Sequence, residues 1–429
     1  MRFGSLSVIG CAVVLAAFAC GDGESTTPGA STDSDAGADG ATADAPDPCA
    51  DGTPVPTASA TLDAWPKYDA FTAPDLGDVA KVTSTDVPGP PAGVLVGKGG
   101  AWVFAALGPA TGGQIGLLQR NGTTLTWHHG IATAANALPF GLGQSSSGAL
   151  VAATVGTNVV LLDEAKAEAN ASDAIVASIT NGSTKGATID VKLTPDDKLA
   201  FAALENDGGV AVVDVDAQKL VGIVPIAGRG VTGIAVAPDG SRVYVSAEVA
   251  NEFLGANPNP PQDDVIGSIT VIDAAAARTM PAKSVLGHAF VGRAPVRLAL
   301  SPDGSTLWTT LRGSNALIAL ATEHLLSKTC TPLLASVAVG VAPVGLTFVQ
   351  NGAGIAVANS NRFAAATANQ TVSFVSVKKA LARSTDAVVG QVAVGAFPRE
   401  LAADGDALFV TNFNSKTISG VDLSGISFE

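Results

Sequence analysis

Helical periodicity is scarce in this chain of 429 residues, and few windows support more than a turn or two of amphipathic helix. Histidine is almost as scarce, with four in all. His128 and His129 adjoin in what reads as a late strand, where alternation sends neighbouring rings to opposite faces. His288 and His324 are isolated, so no zinc pattern emerges. A Cys-x-x-Cys-His run for haem is absent. Glu205, Asp207, Asp263 and Asp264 are acidic loop residues, but they form no ordered ladder of calcium ligands. Neither a metal nor a cofactor is expected. Basic side chains are few as well: 24 Lys and Arg stand against 38 Asp and Glu, for a formal charge of −14. Nine of the acids lie between Asp22 and Asp63, and removing these nine and Arg2 leaves −6. The acidity therefore belongs largely to one N-terminal stretch, and nothing basic enough for nucleic-acid binding remains.

That stretch has its own logic. Arg2 precedes an apolar run from Val8 to Ala19, too short to span a bilayer comfortably and suited to the core of a secretory signal. The run ends Ala17-Phe18-Ala19-Cys20, which resembles the lipobox of bacterial lipoproteins, with Ala17 where those proteins usually carry Leu. The resemblance implies lipidation of Cys20. From residue 21 to about 60 the chain is mostly Gly, Ser, Thr, Ala, Pro and Asp, without an aromatic or basic side chain. Such a segment cannot bury enough apolar surface to offset its ordering entropy, so it is expected to be a disordered tether. Cys11 leaves with the signal, and Cys49 and Cys330 remain. In an oxidising envelope they suggest one disulfide, two free thiols being the alternative. The expected division is signal 1–19, tether 20–63 and folded domain 64–429.

Internal repetition then sets the fold. Residues 292–304 read Gly-Arg-Ala-Pro-Val-Arg-Leu-Ala-Leu-Ser-Pro-Asp-Gly, followed by Thr306-Leu307-Trp308-Thr309-Thr310. A related unit runs from Gly228 to Gly240, followed by Val243-Tyr244-Val245-Ser246. Counting nine residues back from each turn glycine or its equivalent gives Pro91, Pro139, Thr188, Val231, Pro295, Pro343 and, with a shortened turn, Pro398. Copies spaced 43 to 64 residues apart suit one four-stranded propeller blade each. Within a copy, a short apolar run is strand A and Pro-Asp-Gly is a tight turn. Strand B follows, as in Ala407–Asn412, then C, as in Val210–Val215, then D, as in Ala335–Val339. The fold expected is all-β: a seven-bladed β-propeller of four-stranded antiparallel blades. The last copy holds only three strands, so closure by N- and C-terminal pairing is expected, with residues 78–83 supplying the fourth strand.

Phe409-Val410-Thr411-Asn412 stands where the YVTN motif stands in YVTN-type propellers, and the two Pro-Asp-Gly turns match their A–B hairpins. The chain from about 76 to 423 thus resembles that superfamily, which includes surface, binding and lactonase-like proteins. Its lactonase-like members carry Gly-x-x-Pro-Arg-His, and residues 395–400 match this up to Glu400, which replaces the histidine.

Strand order places the D–A and B–C loops on an upper face, and the A–B and C–D loops below. Two B–C loops are long, 248–267 and 360–370. Seven residues before each turn glycine the copies read Gly93, Gly141, Asp190, Gly233, Arg297, Gly345 and Glu400. From the innermost strand, charged side chains here can face the central shaft. Candidate ligand-binding residues are therefore Asp190, Arg297 and Glu400, with Arg229, Arg293 and Arg399 in nearby D–A loops. The function expected is a membrane-tethered, monomeric envelope propeller that binds a protein or small molecule through its upper face. The alternative is a lactonase-like hydrolase using Arg399 and Glu400. The tether is expected to enter at the lower face, where a Cys49–Cys330 bond would pin it.

Overall fold

The computed structural model describes residues 65–429, apart from 109–111, 134–136, 254–264, 329, 363 and 366. Seven four-stranded antiparallel sheets follow one another around a ring. Their A strands begin at Pro91, Pro139, Thr188, Gly228, Pro295, Pro343 and Pro398, and each A strand contacts those of both neighbours. The fold is a seven-bladed β-propeller.

The turns follow from the residues that make them. Gly100, Gly148, Gly240, Gly304 and Gly352 have φ between 70° and 92°, and Asp197 takes φ 59° in the same place. Glycine adopts this left-handed conformation without the penalty other residues meet. In the Pro302-Asp303-Gly304 turn, Gly304 N–H donates to Ser301 O at 2.8 Å, and Asp303 accepts from Ser305 N–H at 3.1 Å. Strand B of the third blade, Leu199–Leu204, is buried along its whole length. Neighbouring blades cover both of its faces, so alternation disappears. Each of the seven interfaces between blades holds its own apolar cluster, such as that around Trp308, Leu317, Val357 and Val375 between the fifth and sixth. Strands C and D fall within a residue or two of expectation, at Gly209–Asp214 and Leu333–Ala338.

Closure is achieved by N- and C-terminal pairing, with a corrected register. The fourth strand of the last blade is Val82–Asp86, antiparallel to Thr417–Asp422, with Val82 opposite Val421 and Asp86 opposite Thr417. The expected segment began four residues earlier. The Val79 and Ala80 amides are used instead in a turn on Leu76 O, at 2.9 and 2.7 Å, so pairing begins after them. The strand is polar on its exposed side, and Thr83 and Thr85 donate to Thr123 O and Leu125 O of the first blade, at 2.8 and 3.0 Å.

The described chain begins at the upper rim, not at the lower face expected for the tether. Trp65 is buried against Val291, Ile266 and Leu311, and its carbonyl accepts from Arg293 Nη1 at 3.3 Å. Tyr68 N–H bonds Ser314 O, and Phe71 N–H bonds Val339 O, both in upper-face loops. Pro74 and Leu76 then pair with Gln391 on the outer edge of the sixth blade, and Lys81 O reaches Asp422 N–H below. Residues 65–81 thus form a belt across four blades, from the fourth to the seventh. Strand order alone did not reveal it, because the belt is not part of any repeat. Cys330 lies in a lower C–D loop and is disulfide-bonded, while Cys11, Cys20 and Cys49 lie outside the described residues.

Candidate functional site at the upper mouth of the shaft

The innermost strands share one irregularity. In all seven blades the A–B ladder breaks register just after its start, between Pro295 and Leu298 in the fifth and between Pro398 and Leu401 in the seventh. A bulge there lifts one residue out of the ladder and re-aims its side chain. A hydroxyl on strand B satisfies the stranded amide: Thr154 Oγ1 accepts from Gly141 N–H at 2.9 Å, and Thr411 Oγ1 from Glu400 N–H at 2.9 Å. Asn412, beside it, donates to Thr417 Oγ1 and Ser419 Oγ at 3.1 and 2.9 Å, as Asn359 does to Thr371 and Ser373. Thr411 thus braces the inner bulge, while Asn412 and Asn359 tie strand B to strand C.

The bulged residues form the ring anticipated from register. A Cβ on Gly93 would stand 2.2 Å from Phe140 O of the next blade, and one on Gly345 would stand 2.1 Å from Arg399 O. Gly141 and Gly233 meet Asp190 Cα at 2.7 Å and Val296 O at 2.4 Å in the same way. The shaft is too narrow for a side chain from every blade. Around the ring each charged residue is accordingly flanked by glycines: Asp190 by Gly141 and Gly233, Arg297 by Gly233 and Gly345, Glu400 by Gly345 and Gly93. Seven is odd, so one pair of glycines, Gly93 and Gly141, must be neighbours.

Arg297 and Glu400 meet across this ring. Arg297 Nε and Nη2 lie 2.7 and 2.6 Å from Glu400 Oε1, and Nη1 donates to Thr232 O. Burial works against the Arg297 charge, but Glu400, Asp190 and Glu205 together outweigh it and hold the guanidinium above its ordinary value. Asp190 accepts from Lys192 Nζ at 2.8 Å and Ile234 N–H at 3.0 Å, so it braces the fourth blade. The Glu400 carboxylate, which the hydrolytic alternative needs as a proton acceptor, is committed to Arg297.

A second ring lies one step outward. Eight residues after each turn glycine or its equivalent, at the upper end of strand B or just past it, stand Gly108, Gly156, Glu205, Glu248, Arg312 and Ser360, with Phe413 at the equivalent place after Asn412. Arg312 Nη1 and Nη2 grip Glu248 Oε1 and Oε2 at 2.7 and 2.9 Å, both side chains being buried. Arg312 was not anticipated, although the same register count would have found it. Glu248 was expected to open a loop, but strand B of that blade runs on to Ala250. Asp263 and Asp264 lie outside the described residues. Asp207 accepts from Ser183 Oγ and Thr184 Oγ1 in a loop, so it does not join Glu205 in a calcium site.

The two rings enclose a cavity of about 160 Å³ lined by Ile189, Glu205, Glu248, Arg297, Arg312, Val344, Arg362, Phe397 and Arg399, among others. Arg399 is its unusual member. Its Cζ lies 5.6, 5.7 and 5.6 Å from the rings of Phe140, Phe397 and Phe413. Its buried Nε has no hydrogen-bond partner among the described residues. Burial and then the neighbouring Arg297 lower its proton affinity, against the pull of Glu400 and Glu205. Arg293 instead turns to Trp65, and Arg229 is exposed on the upper surface outside the cavity.

Glu205 faces Glu248 as well as Arg297, Arg312 and Arg399. Burial and then Glu248 push its carboxyl above the ordinary range, outweighing the arginines. A carboxyl raised in this way binds its proton more tightly folded than unfolded. Its contribution is whole below the unfolded value and is lost as pH rises through the folded one. Glu205→Gln should therefore melt higher than wild type at pH 7.5, with the gap closing towards pH 4. A variant equally or less stable at pH 7.5 would contradict this electrostatic picture.

The histidines correct a simpler expectation. A bulge in strand Thr124–Ala132 pairs Trp127 with Leu118 and His129 with Leu117, leaving His128 unpaired. Alternation is reset, and the His128 and His129 Nδ1 atoms meet at 2.7 Å. No cluster of three metal-ligating side chains occurs among the described residues.

Comparison with known proteins adds the fold alone. No protein-family model and no curated protein matches the sequence. Among solved structures, a chain of Kuenenia stuttgartiensis hydrazine synthase superposes with a TM-score of 0.61 at 14% identity, covering 80% of this chain and 98% of that one. The β-propeller domain of Myceliophteria thermophila Cps50 (Swd1) gives 0.60 at 12% identity, over 80% and 100%.

Proposed function

We propose that this chain is a lipid-anchored envelope propeller of the YVTN type, which binds its ligand or partner through the upper mouth of the shaft. The arginine-lined cavity carries this reading: rigid inner strands pre-position its polar groups, and the loops around it vary from blade to blade. The export part of the reading rests on the run ending in Cys20 and on the acidic, aromatic-free stretch behind it. Roughly 3.3 Å per residue lets the stretch between Cys49 and Trp65 reach across the disk, so a Cys49–Cys330 bond fits the proposal. The hydrolytic alternative is weaker, since Glu400 is ion-paired.

Two measurements test it. Mass spectrometry of detergent-extracted protein should find a diacylglyceryl group on Cys20, and Cys20→Ser should release the protein into the soluble fraction. More than one acyl chain is needed for stable anchoring, so recovery of unmodified soluble wild type would remove the envelope assignment. For binding, a photo-crosslinking residue at position 229, on the upper face, should capture an adduct in intact cells. The same residue at position 303, below, should not. Capture from 303 alone would place the working surface on the wrong side.

A further inference from the structure

The charges of the cavity select among ligands. Arg297 is matched by Glu400 and Arg312 by Glu248, each within hydrogen-bonding distance. Arg399 forms no ion pair among the described residues and leaves Nε without an acceptor. A desolvated guanidinium without a hydrogen-bonded anion is costly, and the usual remedy is a bound one.

Shape narrows the choice. The guanidinium is a flat fork that meets a flat carboxylate through two parallel hydrogen bonds, and the three phenylalanines around Arg399 favour a flat group. A tetrahedral dianion would bring a second negative charge against three glutamates. Apart from the hydroxyls of Thr232 and Ser360, the remaining lining, Ile189, Val296, Ala342, Val344 and Phe397, is apolar. The 160 Å³ available is close to the roughly 150 Å³ of a cavity that accepts benzene. That leaves room for a carboxylate and a body of a few carbon atoms.

We infer that the upper mouth of the shaft is a binding site for a small monocarboxylic acid with a short apolar body, its carboxylate seated on Arg399 and its body on the aliphatic and phenylalanine lining. This rests on the binding role proposed above and names the ligand class. Glu205 then acts as a selector. Its carboxylate opposes a second anion, whereas its protonated form can donate a hydrogen bond to one. The charged groups facing it are Glu248, Arg297, Arg312 and Arg399, and of these only Glu248 shares its sign.

Calorimetric titration of the full-length protein with butanoate, benzoate, benzamide, inorganic phosphate and sulfate decides the matter. Butanoate or benzoate should bind, and benzamide, which has the shape but not the charge, should bind at least tenfold more weakly. Phosphate and sulfate should not compete at equal concentration. Arg399→Gln should weaken benzoate at least tenfold. Glu205→Gln should tighten it several-fold at pH 7.5, and the gap to wild type should narrow as pH falls. The Glu205 variant keeps the test decisive even if the Arg399 variant folds poorly. Equal binding of benzamide, or benzoate binding that survives Arg399→Gln in folded protein, would overturn the inference. Preference for phosphate would overturn it too while leaving the binding role standing. Binding of none of the five would also overturn it, and the binding role would then stand or fall on the position-229 adduct.

Discussion

A chain truncated through residue 88 should fail to give stable monomer, whereas truncation through residue 60 should leave the melting temperature unchanged. The longer cut removes all five residues of Val82–Asp86 and exposes the full edge of Thr417–Asp422. It also removes Trp65 from the fourth and fifth blades and Ala80 from the apolar cluster between the sixth and seventh. Losing one buried tryptophan costs about 3–5 kcal/mol, and a whole domain commands only about 5–15. An unpaired strand edge next invites pairing between molecules. Aggregation is therefore expected, read by size-exclusion chromatography and light scattering. Truncation through residue 80 separates the contributions, because it removes the belt but keeps the closing strand. Its melting temperature should fall, and it should remain monomeric. A stable monomer lacking residues 1–88 would mean that the ring does not depend on this strand.

How much of this was readable beforehand differs by level. The register of the repeat was legible because turn glycines, strand prolines and apolar runs recur with it. The bulged inner position, carrying Asp190, Arg297 and Glu400, came with that register. What was not legible came from outside it. The belt of residues 65–81 belongs to no copy, so no comparison between copies points to it. The closing strand was misplaced by four residues because its sequence is polar: one edge faces solvent, and Ala80, which looks like strand, serves the core from a turn. The His128–His129 contact depends on one extra residue in a strand, which alternation alone cannot show. The same register, counted eight residues past the turn glycine, reaches both Glu248 and Arg312. That these two pair is shown only by the fold, since they lie 64 residues apart on neighbouring blades.

The Arg312–Glu248 pair should be the most sensitive ion pair among the described residues. Arg312→Met removes a bidentate partner from a glutamate only 3% exposed, and Glu248 has too little water access to recover the loss by solvation. Breaking a buried ion pair from one side costs about 3–5 kcal/mol, since an uncompensated charge is left behind. Replacing both ends at once, Arg312→Met with Glu248→Leu, should fall within about 1 kcal/mol of wild type, because apolar side chains of similar volume avoid desolvation altogether. Urea unfolding at pH 7 of the two single variants and the double variant measures the difference. At the lower face, Arg120 and Asp404 form a comparison pair linking the first and seventh blades, with Asp404 half exposed. Exposed pairs contribute about 0–1 kcal/mol, so Asp404→Asn should scarcely move the transition. If Arg312→Met cost no more than Asp404→Asn, the buried pair would not be holding the upper mouth together, and its geometry would have to be maintained by the strands alone.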